Sequence, residues 1–213
     1  MKDIDLVIFD WDGTLMDSVG RIVSSMQATA KALNLGVPSD QAVRDIIGLS
    51  LMPAFDRLFP ALDEGSRAAL LAEYRDQYVE LDPTPTPLFP GVEAMLARLG
   101  ASGKTLAVAT GKARAGLDRV FAATGLAGHF VTSRTADDAQ SKPHPEMLTQ
   151  ILAETGISAE RALMIGDSQL DMAMAKAAGV KALGVGFGVH SPEQLLAAGA
   201  QGVISDWQQW ALA

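Results

Sequence analysis

Leu6-Val7-Ile8-Phe9 is a continuous apolar run that stops abruptly at Asp10-Trp11-Asp12-Gly13-Thr14. The same construction recurs twice. Leu106–Ala109 runs into Thr110-Gly111-Lys112, and Ala162–Ile165 runs into Gly166-Asp167-Ser168, with Asp171 shortly after. Phe130–Val131, Ala182–Val185 and Val203–Ile204 are further short apolar runs. Runs that are continuous, not alternating, suit strands covered on both faces, which is the condition of a parallel sheet. Segments of helical spacing fill the gaps: Gly91–Leu99, Ala113–Thr124, Pro145–Thr155 and Gln169–Ala178. Ser191-Pro192-Glu193 reads as a helix start, with Ser as the cap and Pro at the first helical position. Strands alternating with helices predict an α/β fold, an open parallel sheet with helices on both faces.

One stretch breaks this rhythm. From about Ser18 to Leu81 the pattern is helical throughout. Ile22, Val23, Met26, Ala30 and Leu33 share one stripe, and Ser39 is placed to cap a helix carrying Val43, Ile46 and Ile47. Gly48-Leu49-Ser50 ends that helix, and Gly65–Leu81 is helical again. Pro83, Pro85, Pro87 and Pro90, four of the chain's ten prolines, then crowd into Asp82–Gly91 and mark a stiff linker. The reading is a core built from residues 1–15 and 88–213, with an all-helical insert, 16–87, after the first strand. Gly13–Met16 and Pro83–Pro90 are the two crossings between them.

Composition narrows the chemistry by exclusion. The chain has no cysteine, which removes disulfides, thiol nucleophiles, thiolate zinc sites and Cys-ligated iron–sulfur clusters. His129, His144 and His190 show no helical ligand spacing, so a His-rich metal site is not expected. A net charge of −8 lacks the basic footprint that nucleic acids and anionic membranes require. The methionines read as packing, and Asp137-Asp138 as a solvated acidic loop. Met1-Lys2-Asp3-Ile4-Asp5 is charged, and the apolar run after it is shorter than the roughly 7–15 residues of a signal peptide. The expectation is a soluble, cytoplasmic protein.

In open α/β sheets ligands bind beyond the carboxyl ends of the strands. Those ends here present Asp10 and Asp12, Thr110, and Asp167 with Asp171. Asp10, Asp12 and Asp167 are expected to pack together there and to repel, by about 4 kcal/mol per pair at ~4 Å and an effective dielectric of ~20. Protonation or a bound cation must relieve this. With oxygen donors and no His or Cys, Mg²⁺ is the natural cation. Two aspartates at i, i+2 can divide the work: one carboxylate as nucleophile, the other as general acid and then base. Gly13 permits the tight turn. The Thr110 hydroxyl and backbone N–H groups at Gly111 can hold phosphoryl oxygens. Lys142, in a loop stiffened by Pro143 and Pro145, supplies a positive charge that can neutralise both Asp10 and a phosphate.

Phe9-Asp10-Trp11-Asp12-Gly13-Thr14-Leu15-Met16-Asp17-Ser18 resembles the first motif of the haloacid-dehalogenase-like hydrolases. Thr110-Gly111 resembles the second, Lys142-Pro143 the third, and Gly166-Asp167-Ser168-Gln169-Leu170-Asp171-Met172 the fourth. The order and wide spacing also match, across nearly the whole chain, and the look is that of the phosphoglycolate-phosphatase-like subgroup. The resemblance implies a Rossmann-like core with a small helical cap. It makes Asp10 the nucleophile and Asp12 the general acid and base. Mg²⁺ would sit on Asp10, the Asp12 carbonyl and Asp167, supported by Asp171. Thr110, Gly111 and Lys142 would bind the phosphoryl group, with the backbone at Trp11, Asp12 and Gly13 helping while the Trp11 side chain packs away.

The implied activity is hydrolysis of a small phosphorylated metabolite. A phosphosugar mutase or phosphotransferase, or a regulatory protein that binds a phosphorylated ligand, are the alternatives; Thr14 leans away from the mutases. Gly48, Leu49 and Ser50 are the candidate cap residues for contact with the leaving group. Arg44 could meet a second anionic group.

Overall fold

The computed structural model describes residues 3–211; Met1 and Lys2, part of the charged start, and residues 212–213 lie outside it. Among the described residues one sheet is formed by β1 (Leu6–Phe9), β2 (Thr105–Ala109), β3 (Thr132–Arg134), β4 (Ala162–Gly166), β5 (Lys181–Val185) and β6 (Val203–Ile204). The order is β3-β2-β1-β4-β5-β6, and every pairing is parallel.

Burial on both sides explains the continuous apolar runs. In β1, Leu6 and Ile8 enter one apolar cluster while Val7 and Phe9 enter another. Leu106 and Val108 of β2 oppose Ala107 and Ala109 in the same way, as Leu163 and Ile165 of β4 oppose Ala162 and Met164. Each such side chain contributes roughly 1.5–3 kcal/mol when fully buried if it is Val, Leu, Ile or Met.

The strand expected at Phe130–Val131 starts later, at Thr132. Leu126–His129 coil into a 3-10 turn, Phe130 stacks on Phe121, and Val131 is exposed. β3 is an edge strand, so Thr132, Ser133 and Arg134 need no apolar run to hold it.

Five helices accompany the sheet: Val92–Ala101, Arg114–Thr124, Glu146–Thr155, Gln169–Ala177 and Pro192–Ala197. The last starts as expected. Ser191 caps it reciprocally with Gln194, and Pro192 occupies the first turn. Asp137 and Asp138 lie exposed in a turn, as read, and also hold Arg114. Asp137 accepts from the Arg114 N–H at 2.7 Å, and Asp138 pairs with the Arg114 guanidinium at 2.6 Å. Asp137 thereby satisfies a helix start whose own cap position, Ala113, carries no acceptor.

The stretch between β1 and β2 is helical, as the spacing predicts. Val19–Ala32, Asp40–Arg44, Leu51–Leu58 and Glu64–Asp76 pack a separate apolar cluster, and Gln77–Leu81 continues the last as a π-helical turn. Ser39 caps the second of these by accepting from the Ala42 N–H. The two crossings lie side by side. Asp17 N–H donates to the Pro87 carbonyl at 2.8 Å, and Phe89 N–H to the Leu15 carbonyl at 3.0 Å. No described helix is long and apolar enough to cross a membrane.

Candidate active site

The order in which successive strands are added reverses at β1, the centre of the sheet. β1 is flanked by β2 and β4, so the carboxyl ends of all three stand side by side. A crevice forms at such a switch point. Asp10 follows β1, Thr110 follows β2, and Asp167 follows β4; each is 1% exposed.

Glycines set how close these ends come. Gly13 has φ +76°, and a Cβ there would lie 2.1 Å from Asp167 Oδ2. A Cβ on Gly166 would lie 2.3 Å from Asp171 Cγ, and one on Gly188 would lie 2.2 Å from Asp167 Cβ. Asp167 is thus clasped between two loops. It accepts from the Val189 N–H at 2.9 Å and from the Thr14 hydroxyl at 3.2 Å.

Asp10, Asp167 and Asp171 each offer a carboxylate oxygen within 4.8 Å of the others, and all three residues are buried. The counter-charge is Lys142, itself buried, with Nζ 2.9 Å from Asp10 Oδ1 and 2.7 Å from Asp171 Oδ1. Burial alone would depress the Lys142 ammonium; the charges of Asp10 and Asp171 outweigh it and hold its pKa above the ordinary value. Burial pushes the Asp10 carboxyl up to about 7 against the pull of Lys142. Burial, then the Asp10 and Asp171 charges, push Asp167 well up.

Three carboxylates against one ammonium leave the cluster short of positive charge. Both Asp10 oxygens are buried; Oδ1 meets only the Lys142 ammonium and Oδ2 has no donor. A hard divalent cation fits that deficit and that donor set. Asp171 fits less directly than Asp10 and Asp167. Its Oδ2 already accepts from the Ser168 hydroxyl at 2.7 Å and its Oδ1 from Lys142. Its first task is to hold Lys142 and cap the helix starting at Gln169, where Ser168 and Asp171 form a reciprocal capping box.

The expected crowding of Asp10, Asp12 and Asp167 is corrected in one member. Asp171 takes the third place, and the Asp12 carboxylate turns away from the cluster. It meets Lys112 Nζ at 2.8 and 2.9 Å and accepts from the Ser18 hydroxyl at 2.6 Å. Lys112 also lies 5.3 Å from the centre of the Tyr78 ring. For Lys112, burial is outweighed by Asp12 and Tyr78, and its pKa is raised. Sequence reasoning placed Lys112 after a strand end but gave it no role. Its proximity to Thr110-Gly111 was the one available signal. Nothing in the sequence pointed to Tyr78, Gly188 or Val189.

Thr110, Gly111, Asp10, Asp12 and Lys112 line one end of a cavity of about 340 Å³ beneath the helical layer. Gly48 and Leu49 line it from the opposite side, and their carbonyls would lie 2.6 Å from a Cβ on Gly111. The Gly48–Ser50 loop thus rests on the second motif, as expected of two of its residues. Ser50 does not line the cavity; its N–H donates to the Ser141 hydroxyl at 2.9 Å. Arg44, half-buried at the end of its helix, lies outside the lining as well, and Arg75 and Arg119 border the cavity instead. The reason is that the helix ends at Arg44 and the chain turns inward through Ile46 and Ile47. The Trp11 side chain packs away from the cavity, edge-on to Phe121, with its ring N–H on Met16 Sδ. His144 is exposed in its loop.

The site is thus a buried carboxylate cluster with one ammonium at the carboxyl edge of a parallel α/β sheet, beside a cavity under a helical insert. The family model described as haloacid dehalogenase-like hydrolase matches residues 7–185, and the chain belongs to that family. The chain is 39% identical over 210 residues to "Probable phosphatase IndB" of Dickeya dadantii, covering 96% of this chain and 90% of that protein. It is 34% identical to a phosphoglycolate phosphatase of Mesorhizobium japonicum, over 86% of this chain and 83% of that one. A crystal structure described as a predicted phosphoglycolate phosphatase, from Haemophilus somnus, superposes with a TM-score of 0.88. It is 25% identical and covers 98% of this chain and 96% of its own.

Proposed function

We propose that this protein is a cytoplasmic, Mg²⁺-dependent phosphomonoester hydrolase that works through an aspartyl-phosphate on Asp10. The observation that carries this is the state of Asp10. Both its oxygens are buried, Oδ1 meeting only the Lys142 ammonium and Oδ2 lacking a donor, at the end of a cavity large enough for an ester. A carboxylate oxygen with no structural hydrogen bond is available for chemistry.

Asp10 and Asp167 would hold the Mg²⁺, with the Asp12 carbonyl, and the ion would offset charge on the phosphoryl oxygens. Lys142, Thr110 and the backbone at Trp11–Gly13 and Gly111 hold and neutralise the phosphoryl group, so that an anionic nucleophile can approach it. An Asp10 oxygen forms a bond to phosphorus while the bond from phosphorus to the ester oxygen breaks. The departing oxygen takes a proton from the Asp12 carboxyl, then in its acid form. Asp12, now a carboxylate, takes a proton from water as that water attacks phosphorus. Phosphate leaves and Asp10 is regenerated. Residues 16–87 act as the cap, closing over the cavity and excluding bulk water.

The test is phosphate release from a panel of small phosphomonoesters, with and without Mg²⁺, for the parent chain and Asp10→Asn. Metal-dependent release that disappears in Asp10→Asn is expected. Undiminished release by that variant overturns the reading.

A further inference from the structure

The walls of the cavity differ in kind from its floor. Above Asp10, Asp12 and Thr110–Lys112, the helical layer contributes Ile22, Ile46, Ile47, Leu49, Leu51 and Tyr74. Tyr78 stands beside Tyr74, with ring centroids 5.9 Å apart. A volume of about 340 Å³ falls within the roughly 300–1,000 Å³ of pockets that hold organic ligands of many atoms. A two-carbon leaving group would leave much of that apolar surface uncovered.

Charge points the same way. A small carboxylate on the leaving group would need a desolvated cation aimed at it. Lys112 is the inner cation of the cavity, and both oxygens of Asp12 already engage it. Arg75 and Arg119 border the cavity but are solvent-exposed, and Arg44 does not reach it. We infer that the substrate is a phosphomonoester whose leaving group carries an apolar body of aromatic-ring size, seated against Leu49, Leu51 and Tyr74. A polar tail on that body would emerge toward Arg75 and Arg119. This rests on the phosphatase reading above and adds the class of ester to it.

The experiment compares kcat/KM of the full chain with Mg²⁺ on benzyl phosphate, ethyl phosphate and 2-phosphoglycolate. All three release a primary alcohol, so the cavity and not the bond sets the order. Benzyl phosphate is expected to exceed each of the others at least fivefold, chiefly through KM. Leu49→Asn is expected to lower the benzyl-to-ethyl ratio about fivefold, the scale of losing one buried apolar contact. A smaller benzyl preference, a preference for 2-phosphoglycolate, or an unchanged ratio in Leu49→Asn overturns the substrate class and leaves the phosphatase reading standing. Release from none of the three, nor from any ester of the wider panel, overturns both.

Discussion

The Lys112 ammonium bridges both oxygens of Asp12, at 2.8 and 2.9 Å, from a strand end that lies 100 residues away in the chain. With the Ser18 hydroxyl on the same carboxylate, this pair fixes which way Asp12 points and keeps it out of the Asp10 cluster. A general acid and base is useful only when held at the right angle to the ester oxygen. Lys112→Met is expected to lower kcat about tenfold to a hundredfold, with KM and the far-ultraviolet spectrum little changed. A purely structural lysine would leave kcat unmoved while the fold persisted.

Gly13 and Gly103 have nearly the same φ, +76° and +73°, but different surroundings. A Cβ on Gly103 meets nothing within 4 Å, whereas one on Gly13 lies 2.1 Å from Asp167 Oδ2. The left-handed conformation alone costs an L-residue about 1–2 kcal/mol. Gly103→Ala is therefore expected to lower Tm by only a few degrees, since 1 kcal/mol is about 2–4 °C at this size, with activity intact. Gly13→Ala is expected to lower Tm further and to abolish turnover. Thermal melts and phosphate-release assays on the two proteins check this.

Removing metal exposes the charge deficit of the cluster. Without a cation, Asp10, Asp167 and Asp171 share one buried ammonium. Unpaired buried charge is destabilising, so deleting one carboxylate charge relieves the fold. In EDTA at pH 8, Asp10→Asn is expected to melt several degrees above the parent chain. Added Mg²⁺ is expected to narrow that gap by raising the parent more. Calorimetry with and without Mg²⁺ reads both effects.

Asp82 ties the returning crossing to the first helix of the insert. It accepts from Ser25 at 3.0 Å, from Ser24, and from the Thr84 N–H at 2.8 Å. Partial burial raises its pKa, but these hydrogen bonds outweigh it and bring the carboxyl down to about 2. A carboxyl whose folded pKa is depressed adds stability that is present above the unfolded value, near 3.9, and lost as pH falls toward 2. The Tm difference between the parent and Asp82→Asn is therefore expected to be larger at pH 6 than at pH 3. A difference that is flat over that range would remove Asp82 as a tether.

Much of the molecule was legible in one dimension because parallel strands buried on both faces must be apolar at every position. That is why β1, β2 and β4 stood out, and why the residues just past them marked the site. β3 escaped, since the half-buried edge strand Thr132–Arg134 carries no such signature. Local chemistry was readable too: Ser39 and Ser191 cap the helices their positions announced. By itself the sequence determined which apolar runs become the inner strands, the order of the motifs and the residue types at the carboxyl edge, because each depends on neighbours in the chain.

Only the tertiary structure decided how those residues are shared out. It put Asp171 with Asp10 and Asp167, gave Asp12 to Lys112, and closed Gly188 and Val189 around Asp167. It also left Arg44 outside a cavity whose walls are apolar. Pairings of this kind are set by which strand ends and loops meet across the switch point. Charge and contact act through a few ångströms of space, and separation along the chain carries no record of that distance.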